Sequence, residues 1–164
     1  MGSDDAVKAS YIYIDMDGVI VDAVQGAIDY WNPKGANLFV PSTYDQWAPC
    51  YWDMPNYVWA NMPETPWAEV FLELLARDDC YVCTTPHSNY MGKVDWLAKR
   101  GVKEDRVIFI HDKELLAGDN CWLIDDNDDN CYKFFNAGGQ AFCPKQPWNT
   151  GTSIEMIQQR LEQL

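Results

Sequence analysis

Four short apolar runs recur along the chain, and each closes on a polar residue. They are Tyr11-Ile12-Tyr13-Ile14 before Asp15, Cys80-Tyr81-Val82-Cys83 before Thr84, Val107-Ile108-Phe109-Ile110 before His111, and Cys121-Trp122-Leu123-Ile124 before Asp125. Runs this short, rich in β-branched and aromatic residues and lacking polar alternation, predict interior parallel strands buried on both faces. Gln140-Ala141-Phe142 is expected as a last strand. Elsewhere the apolar positions take helical spacing. A helix is predicted from Ala23 to about Asn32, stopped by Pro33-Lys34-Gly35. Another runs from Pro66 to Arg77 with Trp67, Val70, Phe71, Leu74 and Leu75 on one side, and further helices lie near 88–100 and 127–136. Thr152-x-x-Glu155 reads as a capping box for a closing helix through Leu164. Strands alternating with helices predict an α/β fold, a parallel sheet sandwiched by helices.

One stretch breaks this rhythm. Between Asp22 and Pro66 the chain carries Trp47, Tyr51, Trp52, Tyr57 and Trp59 among Pro and Asp residues, more aromatics than a framework helix needs. The expected organisation is a core of residues 1–22 and 66–164, with residues 23–65 as a small helical cap inserted after the first strand. Aromatic faces stack on planar bases at roughly 1–3 kcal/mol each, so Trp47, Trp52 and Trp59, with His87, are candidate pocket residues. The plainer reading is that each tryptophan fills the core of a tiny cap.

The length of 164 residues, with 48% hydrophobic and 23% charged residues, fits one globular domain with a real core. A net charge of −13 and a pI near 4.3 disfavour duplex nucleic acid and anionic membrane as partners. A small phosphorylated substrate would likewise need local cations or a bound metal. Six cysteines spread along the chain, with Cys80, Cys83 and Cys121 inside predicted strands, fit reduced thiols in a cytoplasmic compartment rather than a disulfide frame. Cys80-x-x-Cys83 lacks a second ligand pair, which disfavours zinc. No apolar stretch approaches the roughly 18 residues of a membrane span, and none near the start has signal-peptide character, so an unexported, soluble chain is expected.

The chemistry concentrates at the ends of the strands. Asp15-Met16-Asp17-Gly18 delivers two carboxylates to the mouth of the first strand, where open α/β sheets collect ligands. Calcium loops also open with Asp-x-Asp-Gly, but Val19-Ile20-Val21 follows here in place of further oxygen ligands. Thr84, Lys113 and Asp125-Asp126 stand at or just past the ends of later strands. The set suits phosphoryl transfer: a carboxylate nucleophile, a carboxylic acid for the leaving oxygen, a hydroxyl and a lysine for the phosphoryl oxygens, and an acidic pair for Mg2+. Each residue also has an ordinary explanation. Thr84 caps a helix, Lys113 is a surface charge, and Asp125 to Asp129 form an acidic helix start.

In this order the motifs resemble those of the haloacid dehalogenase (HAD) superfamily, and within it the 5′(3′)-deoxyribonucleotidases. The marks are Asp15-Met16-Asp17-Gly18-Val19, Cys83-Thr84-Thr85-Pro86, Lys93 and Trp96, Asp112-Lys113, Leu123-Ile124-Asp125-Asp126, and Phe142-x-x-x-Gln146-Pro147-Trp148-Asn149. The resemblance implies a Rossmann-like core and a phosphatase that hydrolyses deoxynucleoside 5′-monophosphates through an aspartyl-phosphate. Asp15 would be the nucleophile and Asp17 the general acid and base. Thr84, with Thr85 beside it, and Lys113 would bind phosphate. Mg2+ would sit on Asp15, the Asp17 main-chain carbonyl and Asp126, with Asp125 in direct or outer contact. Rival readings are a sugar-phosphate phosphatase, a phosphoryl-accepting receiver module and a non-catalytic acidic mimic of nucleic acid. A receiver places its acidic pair first, the reverse of the order here. Oligomeric state stays open, a homodimer included.

Overall fold

The computed structural model describes residues 10–46, 52–87 and 89–163. Its sheet is five parallel strands in the order β3-β2-β1-β4-β5: β1 (Tyr11–Ile14), β2 (Cys80–Thr84), β3 (Val107–Phe109), β4 (Cys121–Ile124) and β5 (Gln140–Phe142). The helices are α1 (Ala23–Trp31), α2 (Asn56–Trp59), α3 (Ala68–Leu74), α4 (Tyr90–Ala98), α5 (Asp128–Asn136) and α6 (Ile154–Leu161). The α/β expectation is met strand for strand.

Burial explains why β1 is central. Ile12 and Ile14 are fully buried in the larger apolar cluster, which includes Val82, Phe71, Trp96 and Ile157. Tyr13 points the other way, into a smaller cluster with Cys83, Leu123 and Phe134 of α5. Strand side chains alternate between faces, so a strand covered on both sides must be apolar at every position. Cys80 and Cys83 fall into different clusters on opposite faces of β2, which keeps their thiols from sharing an ion.

The chain leaves β1 for β2 and β3 on one side, then returns to place β4 against the other side of β1. The switch point therefore lies between the ends of β1 and β4, where Ile14 is registered with Ile124. Beyond that register the ladder continues: Asp15 N–H donates to Ile124 O at 2.8 Å, and Asp125 N–H donates to Phe142 O at 3.1 Å.

The segment expected to form a cap contributes α1, α2 and 3-10 turns at Asn32–Lys34 and Tyr44–Gln46. Asp22 caps α1 by accepting from Gln25 N–H. Ala23, Val24, Ala27, Met54, Trp59 and Met62 of this segment join the same cluster as β1. The predicted capping box shifts by one residue: Ser153, not Thr152, caps α6. Thr152 is held extended, donating to Cys143 O at 2.7 Å and accepting from Lys145 N–H at 3.0 Å, so it has no freedom to turn into a cap. Among the described residues, no helix is long and apolar enough to cross a membrane.

Candidate active site

Past β1 the chain makes a tight buried turn in which Ile20 and Val21 N–H both donate to Met16 O. Met16, Val19, Ile20 and Val21 are fully buried, so this apolar loop braces the two carboxylates from behind. Gly18 takes φ +80°, and a Cβ there would lie 2.2 Å from Asp126 Oδ2. Glycine is thus required both for the turn and for the approach of Asp126.

Asp15, Asp17, Asp125 and Asp126 are all buried around this turn, together with Lys93 and Lys113. Lys113 opens a 3-10 turn after β3 and reaches Asp15 Oδ1 at 2.8 Å and Asp125 Oδ2 at 2.7 Å. Lys93 of α4 reaches Asp17 Oδ2 and Thr84 Oγ1, each at 2.8 Å. Asp125 is further engaged by Asn127 N–H at 2.9 Å and the Asn130 amide at 3.1 Å. Asp126 accepts from the Trp148 indole N–H at 2.9 Å, and its backbone carbonyl accepts from the Asn149 amide at 2.9 Å.

Four buried carboxylates against two buried ammonium groups leave two negative charges unbalanced, and buried charge is costly unless paired. Oxygen atoms of Asp15, Asp125 and Asp126 lie within 4.8 Å of one another. Hard carboxylate oxygens around a net charge of minus two suit one hard divalent cation. The oxygens of Asp125 are already taken by the donors of Lys113, Asn127 and Asn130, whereas the Asp126 carboxylate meets the Trp148 indole on Oδ2 and otherwise faces Asp15, which favours Asp126 over Asp125 as the direct ligand.

The same crowding moves proton affinities. Burial, then the charge of Asp125, pushes the Asp15 carboxyl from 3.8 up to about 7 despite Lys113. Asp126 is also raised well above the carboxylate range, by burial and then by Asp15 and Asp125. A carboxyl raised in this way binds its proton more tightly when folded than when unfolded. The folded state therefore loses stability as pH climbs through the interval from 3.8 to about 7, on the order of 4 kcal/mol for Asp15 alone, and the loss is complete above it. A divalent cation bound at this cluster would take the place of the proton. In chelator, the midpoint of thermal unfolding should fall between pH 5 and pH 8, and millimolar magnesium should cancel most of that fall. An equal fall with and without magnesium would place the cation elsewhere.

A cleft of about 200 Å³ opens over these groups, lined by Asp15, Asp17, Lys113 and Asp125 below and by Tyr44, Trp52, Thr85 and His87 among the residues above. Of the expected pocket residues, Trp52 and His87 stand on its wall, their rings stacked at 5.8 Å. Burial and the nearby Lys93 charge hold His87 below its ordinary value, so it presents a neutral ring at pH 7. Trp59 does not line the cleft: it is fully buried, stacked beneath Trp52 at 6.3 Å. The reason is a close crossing of α2 and α4, where a Cβ on Gly92 would meet Trp59 Cβ at 2.6 Å. Trp47 lies outside the described residues. Thr84 is wholly buried against Lys93, and Thr85 is the threonine at the cleft surface.

The sequence reading quoted Lys93 as a mark of the resemblance without assigning it a role, and it gave none to Tyr44, Asn127 or Asn130. Tyr44 carries the insertion to the acidic cluster, and its phenol is pushed strongly upward by burial and by Asp126, Asp125 and Asp15. The Asn127 side chain caps α5 by accepting from Asp129 and Asn130 N–H, a helix-start signal visible in the sequence.

No protein-family model matches the sequence, and no curated protein matches it. Solved structures do share the fold. A HAD-superfamily hydrolase of subfamily IA from Geobacter sulfurreducens is 13% identical, aligns over 94% of this chain and 99% of its own, and has a TM-score of 0.63. A HAD family hydrolase from Deinococcus radiodurans, solved with bound phosphate and sodium, is 13% identical over 94% of this chain and 95% of its own, with a TM-score of 0.58. A hydrolase from Streptococcus pneumoniae is 12% identical over 94% and 99%, with a TM-score of 0.55. The architecture is thus the Rossmann-like fold of HAD hydrolases.

Proposed function

We propose that the chain is a magnesium-dependent phosphomonoesterase of the HAD superfamily that hydrolyses (deoxy)nucleoside 5′-monophosphates in the cytoplasm. The observation that carries this reading is the buried cluster at the switch point, where Asp15 is held by Lys113 and Asp17 stands on the same cleft wall. An Asp15 oxygen attacks phosphorus, the bond from phosphorus to the ester oxygen breaks, and the Asp17 carboxyl gives its proton to the departing alcohol. Asp17 then takes a proton from water as the water oxygen displaces Asp15 from phosphorus. Lys113 neutralises charge on Asp15 and on the phosphoryl oxygens. Magnesium, held by Asp15 and Asp126 with the Asp17 carbonyl and with Asp125 in support, would neutralise the phosphoryl group during transfer.

The stacked pair of Trp52 and His87 supports a planar base as the leaving group's far end. The cleft of about 200 Å³ is smaller than the roughly 300–1,000 Å³ of most ligand pockets, which favours a second reading, a compact sugar phosphate. Phosphate release from deoxynucleoside, ribonucleoside and sugar monophosphates decides between them. Nucleotides are expected to give the highest kcat/KM, with turnover lost in excess chelator. Faster turnover of sugar phosphates would replace the nucleotide assignment.

A further inference from the structure

Lys93 lies on the buried face of α4 with Gly92, Trp96 and Leu97, and its side chain is fully enclosed. A lysine at such a position is rare unless its ammonium is paired, because removing the charge from water costs several kcal/mol. Its Nζ passes 5.1 Å from the Trp59 ring and ends between Asp17 Oδ2 and Thr84 Oγ1 at 2.8 Å from each. Thr84 is the last residue of β2, so the lysine ties the turn after β1 to the neighbouring strand. The two oxygens of Asp17 thereby become unequal. Oδ2 is held by Lys93, whereas Oδ1 is buried and has no hydrogen-bond partner among the described residues. A buried polar atom without a partner is an exception that a bound group would satisfy.

Building on the phosphomonoesterase reading, we infer that Lys93 is a positioning residue: it clamps Asp17 through Oδ2 so that Oδ1 faces the ester oxygen and delivers the proton to the leaving group. Lys113 serves the nucleophile and Lys93 serves the acid, so each carboxylate of the Asp-x-Asp pair has its own lysine. Lys93 acts through Asp17 and leaves phosphate binding to other groups.

A role of this kind has a leaving-group signature. An alkyl ester needs its departing oxygen protonated, and p-nitrophenyl phosphate does not. Because kcat/KM covers steps only through release of the alcohol, it isolates the acid from the later base step. For Lys93→Met, kcat/KM on the best alkyl monophosphate should fall about 100-fold, and on p-nitrophenyl phosphate less than about 5-fold, with KM nearly unchanged. Equal losses on both substrates, or a loss confined to KM, would make Lys93 a phosphate ligand or a structural group and overturn the inference. Asp17→Asn and Asp17→Asn/Lys93→Met provide a second test in which the buried charge stays balanced in the double variant. The two should have the same kcat/KM on p-nitrophenyl phosphate; a further drop in the double variant overturns the proposal even where Lys93→Met alone does not fold. A native chain that releases phosphate from no monoester in magnesium overturns the phosphomonoesterase reading, and this inference with it.

Discussion

Asp15→Asn is expected to reduce phosphate release by at least about 10⁴-fold while leaving the fold intact. The amide has nearly the shape of the carboxylate, and the backbone N–H of residue 15 stays in the ladder through its 2.8 Å bond to Ile124 O. What disappears is the proposed nucleophile and one of the four buried carboxylates. These losses act in opposite directions on separate observables. Turnover collapses because no aspartyl-phosphate forms. Stability in chelator rises above pH 7, because the group whose proton affinity is lifted to about 7 no longer ionises against Asp125 and Asp126. The stabilisation gained from magnesium shrinks at the same time, since a ligand is lost. Phosphate release and thermal unfolding with and without magnesium measure all three. Retention of more than a few per cent of native turnover would remove Asp15 from the role of nucleophile.

Lys113→Met has the largest expected effect on stability. The ammonium is almost fully buried and bonded to two carboxylates, Asp15 at 2.8 Å and Asp125 at 2.7 Å. Methionine fills the volume but leaves two buried charges without their partner, a loss of about 3–5 kcal/mol. For a chain of this size that corresponds to roughly 10 °C in the unfolding midpoint. The destabilisation should be smaller at pH 5 than at pH 8, because protonation of Asp15 removes one of the stranded charges. Magnesium should restore part of it for the same electrostatic reason. A uniform loss across pH would mean that the lysine matters for packing alone. Activity is expected to fall as well, so the two readouts separate the structural role from the chemical one.

Much of this architecture was legible because the parallel strands bury both faces and so appear as unbroken apolar runs whose polar ends mark the rim of the sheet. Asp15, Asp17, Lys113, Asp125 and Asp126 were found by that rule, and the structure brings them together. The rule is silent about depth and partners. Lys93 stands one residue from Gly92 and three from Trp96, and nothing in that spacing reveals that its ammonium turns inward to Asp17. Trp52 and Trp59 are equally aromatic in the sequence, yet the helix crossing at Gly92 sends one to the core and leaves the other on the cleft wall. Thr152 and Ser153 are both competent caps, and only the pairing of Thr152 with Cys143 and Lys145 decides between them.

The loop after β5 fastens the site from the far end of the chain. The Gln146 amide donates to Gly18 O at 2.8 Å across a separation of 128 residues, and Trp148 and Asn149 secure Asp126. Closure entropy grows only with the logarithm of loop length, so this contact costs little more than the β1–β4 pairing, which already joins Tyr11 to Cys121. The loop after the last strand therefore sets where the Asp126 carboxylate points, from outside the sheet that carries it. A substitution at Trp148 or Asn149 would thus reach the acidic cluster without touching any strand, and circular dichroism of the sheet would not register it.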